Sequence, residues 1–318
     1  MRRLSFFLLF FTLLLSLVLG PAATATNYSF VAINYPQSTY TVANGINGSG
    51  GIVGTYSDGN TNHGFLFSGG TYTNIDFPGA QSTGVTGITT SGTLVGFYMD
   101  SQSMIHGFSD NGGVFSSIDY LGSHYTAALG VNDLGQIVGQ YADNAGSHGF
   151  LDIAGSLVGI DVYGAGSTQA NGINNADQVV GFYDFPNCAP GAAECGFVMT
   201  LGVFATIAHP GSSFTDAFGV NGLGQIAGGY DASGLHGFLY SGNVFYQLDV
   251  PQGSYTFAQG INDSGAIVGF YGGPDCANSQ QECGFLAVPI STPEPSTLTM
   301  FGSGLLGLAG LTRRKFNL

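Results

Sequence analysis

Between Leu4 and Thr312 the chain contains no lysine and no arginine. Its five basic residues, Arg2, Arg3, Arg313, Arg314 and Lys315, sit at the two ends. All 19 acidic residues lie between them, for a formal net charge of −14. A body without cations cannot neutralise phosphates, which excludes nucleic acid as a partner class. An anionic membrane surface repels it as well. Tryptophan is absent, and only 8% of residues are charged. Polarity comes instead from Gly, Ser, Thr and Asn. No stretch of the body spaces its apolar residues helically, so no amphipathic helix is expected there. The 53 glycines suit tight turns and no long helices. The acidity keeps an exported protein soluble and attracts divalent cations weakly. No D-x-D-x-D-G loop occurs, so no cofactor is assigned; weak Ca2+ bracing of acidic loops is left open.

Long apolar runs are confined to the ends. Residues 1–25 read as an export signal, with Arg2 and Arg3 before the apolar run 4–19 and Ala23-Thr24-Ala25 as a small-x-small cleavage site. The mature chain then begins near Thr26. An uncleaved anchor helix is the alternative, although the run is short for a span.

What fills the middle is a repeat. GINGSGGIVGTY (45–56) returns as GITTSGTLVGFY (87–98), GVNDLGQIVGQY (130–141), GINNADQVVGFY (172–183), GVNGLGQIAGGY (219–230) and GINDSGAIVGFY (260–271). One period reads as four short strands, for example 215–221, 224–230, 235–241 and 244–251. Asn221-Gly222-Leu223-Gly224 suits a type I turn between the first two. Four strands per repeat is the size of one β-propeller blade. The expected fold is therefore all-β: a six-bladed propeller of four-stranded antiparallel blades over residues 26–290. A lone fourth-type strand at 28–36 precedes the first blade, and the last blade ends on a third-type strand at 283–290. Pairing these two closes the ring and leaves no open edge at the seam.

A co-variation supports this register. His63, His106, His148 and His236 are each followed thirteen residues later by an Asp: Asp76, Asp119, Asp161 and Asp249. Where Cys195 and Cys283 replace His, the partner positions are Ala208 and, across the seam, Asn34. A two-residue hairpin turn at Gly69-Gly70 sets His63 opposite Asp76. These pairs read as structural cross-strand hydrogen bonds; a catalytic or metal role is the alternative. A residue repeated around a ring is normally architecture, whereas an active site is normally singular.

Invariant tyrosines (Tyr56, Tyr98, Tyr141, Tyr183, Tyr230, Tyr271) and phenylalanines (Phe65, Phe108, Phe150, Phe197, Phe238, Phe285) are expected to fill the space between blades in place of Trp. Sugar stacking is a second reading for the tyrosines. Gly54 and its counterparts are expected to let strands crowd together. The cysteines fall as Cys188 with Cys195 and Cys276 with Cys283, both C-x6-C, in the two blades with a longer loop before the third strand. Export favours two local disulfides over a zinc site, each worth about 2–3 kcal/mol in the chain-entropy model. Those loops also hold the body's only glutamates, Glu194 and Glu282, and their rim is the first candidate for a specific binding site.

Residues 291–318 carry Pro293-Glu294-Pro295, a Gly- and Leu-rich apolar run, then Arg313-Arg314-Lys315. The run could span a membrane with help, the basic tail remaining cytoplasmic. In its order of parts this segment resembles the PEP-CTERM sorting signal. The resemblance implies an exosortase as processing partner, removal of the tail, and release or attachment at the surface of a Gram-negative, exopolysaccharide-making bacterium. The membrane is then met only through this segment. The body resembles the extracellular HAF-repeat family through Ile261, Asn262, Gly265, Ile267, Val268 and Gly269, and through His236-Gly237-Phe238, where that family has His-Ala-Phe. That resemblance brings no catalytic residues.

The expected function is a non-enzymatic surface or matrix protein that binds exopolysaccharide or another surface component. The alternative is an extracellular lyase or glycosidase, with Asp184, Glu194, Asp275 and Glu282 as its non-repeating carboxylates and His124 and His209 as unpaired histidines.

Overall fold

The computed structural model describes residues 28–274, 276 and 282–290, and every element in it is a β-strand. The export signal, Asp275 and the sorting segment with Pro293, Glu294, Pro295, Arg313 and Arg314 lie outside the described residues. Among those described, no helix is long and apolar enough to cross a membrane.

The repeat becomes a four-stranded antiparallel meander. Unit 1 pairs β2 (Tyr40–Ile46), β3 (Ile52–Ser57), β4 (Asn62–Ser68) and β5 (Thr71–Ile75) in that order. Units 2, 3 and 4 follow as β6 (Ser82–Ile88) to β9 (Val114–Ile118), β10 (Tyr125–Val131) to β13 (Ser156–Ile160) and β14 (Ser167–Ile173) to β17 (Val203–Ile207). Single parallel pairings, Ile105 with Tyr125 and Ser147 with Ser167, join these three side by side. Unit 5 runs from β18 (Thr215–Val220) to β21 (Val244–Leu248). Unit 6 has only β22 (Tyr255–Ile261), β23 (Ile267–Gly272) and β24 (Cys283–Pro289) from its own repeat. Its fourth strand is β1 (Tyr28–Ile33), antiparallel to β24 from Tyr28–Pro289 to Ile33–Gly284. No single sheet closes on itself.

Local chemistry explains each strand. The second strand, Ile-Val-Gly-x-Tyr in β3, lies between two others and is buried on both faces, so it reads as a continuous apolar run. Gly69 and Gly70 have φ of 57° and 81°, which gives the type I′ turn that matches hairpin twist. The turn from first to second strand closes through Gly224 N to Asn221 O at 3.0 Å. Phe65 and its five counterparts are fully buried, and an added Cβ at Gly54 would lie 2.0 Å from Val42 O and 2.7 Å from Phe65 Cε1. That glycine therefore admits the ring beneath its own strand.

The units touch through their first strands. Each first strand carries a β-bulge, as between Ala43 and Gly45, just before its Gly-Ile-Asn or equivalent. The glycine after the bulge meets the neighbouring unit's backbone. An added Cβ would fall 2.7 Å from Thr86 O at Gly45, 2.5 Å from Asn171 O at Gly130 and 2.6 Å from Phe218 O at Gly172. At Gly260 of unit 6 it would meet Asn44 O of unit 1 at 3.0 Å. The turn asparagine then acts as a latch. Its Oδ1 accepts its own turn's amides, as Asn221 does from Leu223 and Gln225, and its Nδ2 donates to the next unit, as Asn221 does to Asn262 O at 3.1 Å. Asn262 donates in turn to Asn47 O at 3.0 Å. Unit 2 has Thr89 at this position, and Thr90 N instead donates to Asp133 Oδ1 at 2.7 Å.

Aromatic stacks complete the seams. Tyr35, just after β1, stacks on Tyr56 with centroids 3.5 Å apart; Phe77 stacks on Tyr98 at 3.7 Å and Tyr120 on Tyr141 at 3.6 Å. The tyrosines thus pack against the unit before their own.

Gly172→Ala should destabilise the protein by about 1–3 kcal/mol, because backbone must move to admit the methyl group. Gly166→Ala, whose added Cβ meets nothing nearer than 3.9 Å, should change stability by less than about 0.5 kcal/mol. Urea unfolding of both variants checks the pair.

Candidate functional site

The bulge does more than bend the strand. It places one side chain from each first strand, Asn44, Thr86, Leu129, Asn171, Phe218 and Gln259, on the wall of one cavity of about 400 Å³. Beyond it the channel narrows to a waist of about 80 Å³ at the glycines that follow the bulges. It then opens into a smaller mouth of about 130 Å³ ringed by the latch asparagines. The wide vestibule is further lined by Tyr40, Phe97, Asn62 and Glu282. It offers amides, hydroxyls and aromatic faces and contains no cationic group.

Three of the six bulge side chains also hold the seams. Asn44 Nδ2 donates to Val85 O at 2.8 Å, Thr86 Oγ1 to Ala128 O at 2.8 Å and Asn171 Nδ2 to Ala217 O at 2.9 Å. Leu129, Phe218 and Gln259 make no such bond. Tyr255 Oη donates to Glu282 Oε1 at 3.3 Å, which orients that carboxylate.

A second group of residues lies at the seam of units 4 and 5. Asp184 pairs across the sheet with Glu194, and Glu194 bridges in parallel to Phe214, two residues before Asp216. The chain thus brings three carboxyl groups together. Burial, then the neighbouring Glu194 and Asp184, pushes Asp216 up to about 9. Burial also raises Glu194. Asp216 is therefore protonated at neutral pH and hydrogen-bonded to Glu194. Its Oδ1 is buried with no hydrogen-bond partner among the described residues. No group of three or more His, Cys, Asp or Glu among the described residues could hold a metal ion.

The four histidines of the repeat sit at the start of the third strands of units 1, 2, 3 and 5, on the same end of the molecule as the vestibule mouth. Nδ1 of His63 lies 3.0 Å from Asp76, of His106 2.7 Å from Asp119, of His148 3.1 Å from Asp161 and of His236 2.8 Å from Asp249. The imidazoles stack on the seam tyrosines, as His63 does on Tyr56 at 5.2 Å. Nε2 of His63, His106 and His148 lies 3.7, 3.4 and 3.4 Å from a second aspartate: Asp58, Asp100 and Asp143. For His106 burial opposes the charge, but Asp119 and Asp100 outweigh it and the net shift is upward. His209 has no Asp partner; it stacks on Tyr230 at 3.9 Å, and burial lowers its pKa.

Cys188 is bonded to Cys195 and Cys276 to Cys283. Each disulfide sits beside a glutamate, Glu194 within β16 and Glu282 just before β24, at the wide end. Of the residues singled out in the sequence, Glu282 lines the vestibule and Glu194 joins the seam cluster. Asp216 and the six bulge residues were missed. Their signal was present: they are variable positions inside an otherwise repeating first strand, and Asp216 is the one acid in a column that holds Val42, Gly84, Ala127, Gln169 and Phe257 elsewhere.

Comparison with known proteins adds an address. Residues 291–315 match the PEP-CTERM protein-sorting motif. That motif marks an exported protein that is transiently membrane-anchored and processed by an exosortase. No curated protein matches the chain in sequence. Among solved structures, a variant of the Aleuria aurantia lectin in complex with Fucα1-6GlcNAc is 13% identical, with TM-score 0.47, covering 81% of this chain and 99% of that one. A variant of AofleA from Arthrobotrys oligospora is 12% identical, with TM-score 0.47, over 80% and 86%. A putative gluconolactonase is 12% identical, with TM-score 0.48, over 86% and 96%.

Two stability measurements follow from this chemistry. Asp216 and His106 both hold their proton more tightly when folded, so each contributes stability at low pH that is lost as pH rises. For Asp216 the window runs from its ordinary 3.8 to about 9, with a slope of about 1.4 kcal/mol per pH unit for one proton. For His106 the loss begins at its ordinary 6.5 and is complete above its raised folded value. Asp216→Asn, which keeps a donor toward Glu194, should flatten the profile above pH 4 and stabilise the protein at pH 7; an unchanged slope contradicts the protonated pair. A His63/Asp76 double-mutant cycle should give a coupling of about 0.2–1 kcal/mol, and purely additive effects would remove the cross-strand bond.

Proposed function

We propose that the six units are the blades of a closed six-bladed propeller, with β1 as the outer strand of the last blade. The protein then works outside the cell as a non-enzymatic surface or extracellular-matrix component, associated with exopolysaccharide or biofilm in a Gram-negative bacterium. Under this reading its repeats are of the HAF kind. One observation carries the proposal: where β24, the last strand before the sorting segment, ends. β24 starts beside Glu282 at the wide mouth and ends at Pro289. Pro289 packs against Gly265 in a latch turn, and Tyr28 Oη donates to Gly265 O at 3.3 Å. Tyr28 and Pro289 therefore both lie beside the narrow mouth. A body held by its tail turns the vestibule and both disulfide loops away from the anchoring surface.

An extracellular lyase or glycosidase is the competing reading, and the Asp216–Glu194 pair is what speaks for it. A carboxyl group protonated at neutral pH beside a second carboxyl group has the makings of a general acid. A general acid must come within hydrogen-bond reach of its substrate, however. Asp216 does not line the vestibule, and its Oδ1 is buried. That burial supports a structural role for the pair.

Replacing Pro293, Glu294 and Pro295 together by Ala in the full chain should trap the protein in the membrane fraction and deplete its surface and medium forms. An unchanged distribution on cell fractionation contradicts the sorting reading. Turnover of any glycan that is lost in Glu194→Gln or Glu282→Gln would instead establish the enzyme.

A further inference from the structure

We infer that the wide vestibule binds uncharged sugar residues of a glycan and rejects uronate or sulfated ones. The inference deepens the surface-binding reading and depends on its closed ring, which makes the vestibule one enclosed site.

The volume of about 400 Å³ falls within the roughly 300–1,000 Å³ of small-molecule sites. The lining is matched to hydroxyl groups. Asn44, Gln169, Asn171 and Gln259 contribute amides, each with donor and acceptor atoms. Asn44 Nδ2 donates to Val85 O and Thr55 Oγ1, and Asn171 donates to Ala217 O while its Oδ1 accepts from Gln169 Nε2, which leaves the carbonyl oxygens of Asn44 and Gln169 as acceptors on the wall. Gln259 is engaged by no hydrogen bond among the described residues, although it stands on the wall. An unpaired amide in a sheltered cavity favours a ligand rich in hydroxyls over an apolar one.

Two aromatic faces complete the match. Phe97 comes from unit 2 and Phe218 from unit 5, three units apart, so a closed six-membered ring sets them across the vestibule from each other. Phe97 reaches the cavity over Gly84, where an added Cβ would lie 2.8 Å from its Cζ. The C–H face of a pyranose ring packs on such surfaces while its hydroxyl groups reach the amides between them.

Charge selects among glycans. Glu282 stands on the wall, and the body has no Lys or Arg to pair with an incoming carboxylate or sulfate. At the same end of the molecule, though not on the vestibule wall, lie the aspartates of the His–Asp pairs, two per histidine in units 1 to 3. An anionic sugar entering here would be desolvated beside like charge with no counter-ion.

The test is a glycan array and titration calorimetry on the full-length chain. The probes are neutral hexose and N-acetylhexosamine oligosaccharides and oligogalacturonates, each with and without EDTA. Neutral oligosaccharides should bind, with or without EDTA, and oligogalacturonates should not. Phe218→Ala should weaken binding about three- to tenfold, the range for one lost ring contact, and Gln259→Ala should weaken it measurably at unchanged melting temperature. The inference is overturned if no neutral glycan binds the folded wild-type protein. Oligogalacturonate binding, including binding that EDTA abolishes, overturns it too, as does neutral-glycan binding unaffected by both substitutions. None of these outcomes bears on fractionation, which tests the surface reading separately.

Discussion

Backbone against backbone at the centre of the molecule is the contact on which the rest depends. At three seams the first strand approaches its neighbour so closely that only hydrogen fits on the intervening Cα: an added Cβ would lie 2.7 Å from Thr86 O at Gly45, 2.5 Å from Asn171 O at Gly130 and 2.6 Å from Phe218 O at Gly172. That approach brings the turn asparagine within reach of the next unit, so that one side chain both closes its own turn and holds its neighbour. It also fixes the bulge beside the glycine, and the bulge aims the six non-repeating side chains into a shared space. Seam, latch and vestibule are consequences of one steric fact.

Much of this was legible in the sequence because the repeat is written at the level of local chemistry. Gly-Ile-Asn, the Asn-to-Gly turn, the buried Ile-Val-Gly-x-Tyr strand and the His-to-Asp spacing each follow from the geometry of two adjacent strands. The pairing of β1 with β24 was legible for the same reason, since the missing fourth strand and the spare first one are complementary. The vestibule was not legible. Asn44, Thr86, Leu129, Asn171, Phe218 and Gln259 comprise five residue types, and nothing in the chain order says that six positions some forty residues apart face one another. Asp216 was hidden similarly: its partner Glu194 is in the preceding unit, and only the parallel bridge at Phe214 brings them together.

Acidity without a counterweight ties architecture to function. In a body that lacks Lys and Arg, histidine is the only side chain able to carry positive charge. Three of them sit between two aspartates and stack on a tyrosine. Their ring nitrogens face these aspartates and so offer an incoming anion little to bind. Where no histidine is present, at Cys195 and Cys283, a disulfide takes over and a glutamate stands beside it. The same face therefore shows a uniform part, built from His–Asp pairs, and an individual part, built from two disulfides and the seam carboxyl groups. β24 finishes at the other end, at Pro289.

The central claim, that the two ends of the body complete one sheet and so close six units into a circle, is tested most directly by amide hydrogen exchange across Tyr28–Ile33. A strand paired from Tyr28–Pro289 to Ile33–Gly284 should exchange as slowly as β23 and β24 and open together with them, as one cooperative unit. Exchange of that segment at the rate of a frayed terminus, while β22 to β24 remain protected, would contradict the circle and the single enclosed vestibule that depends on it.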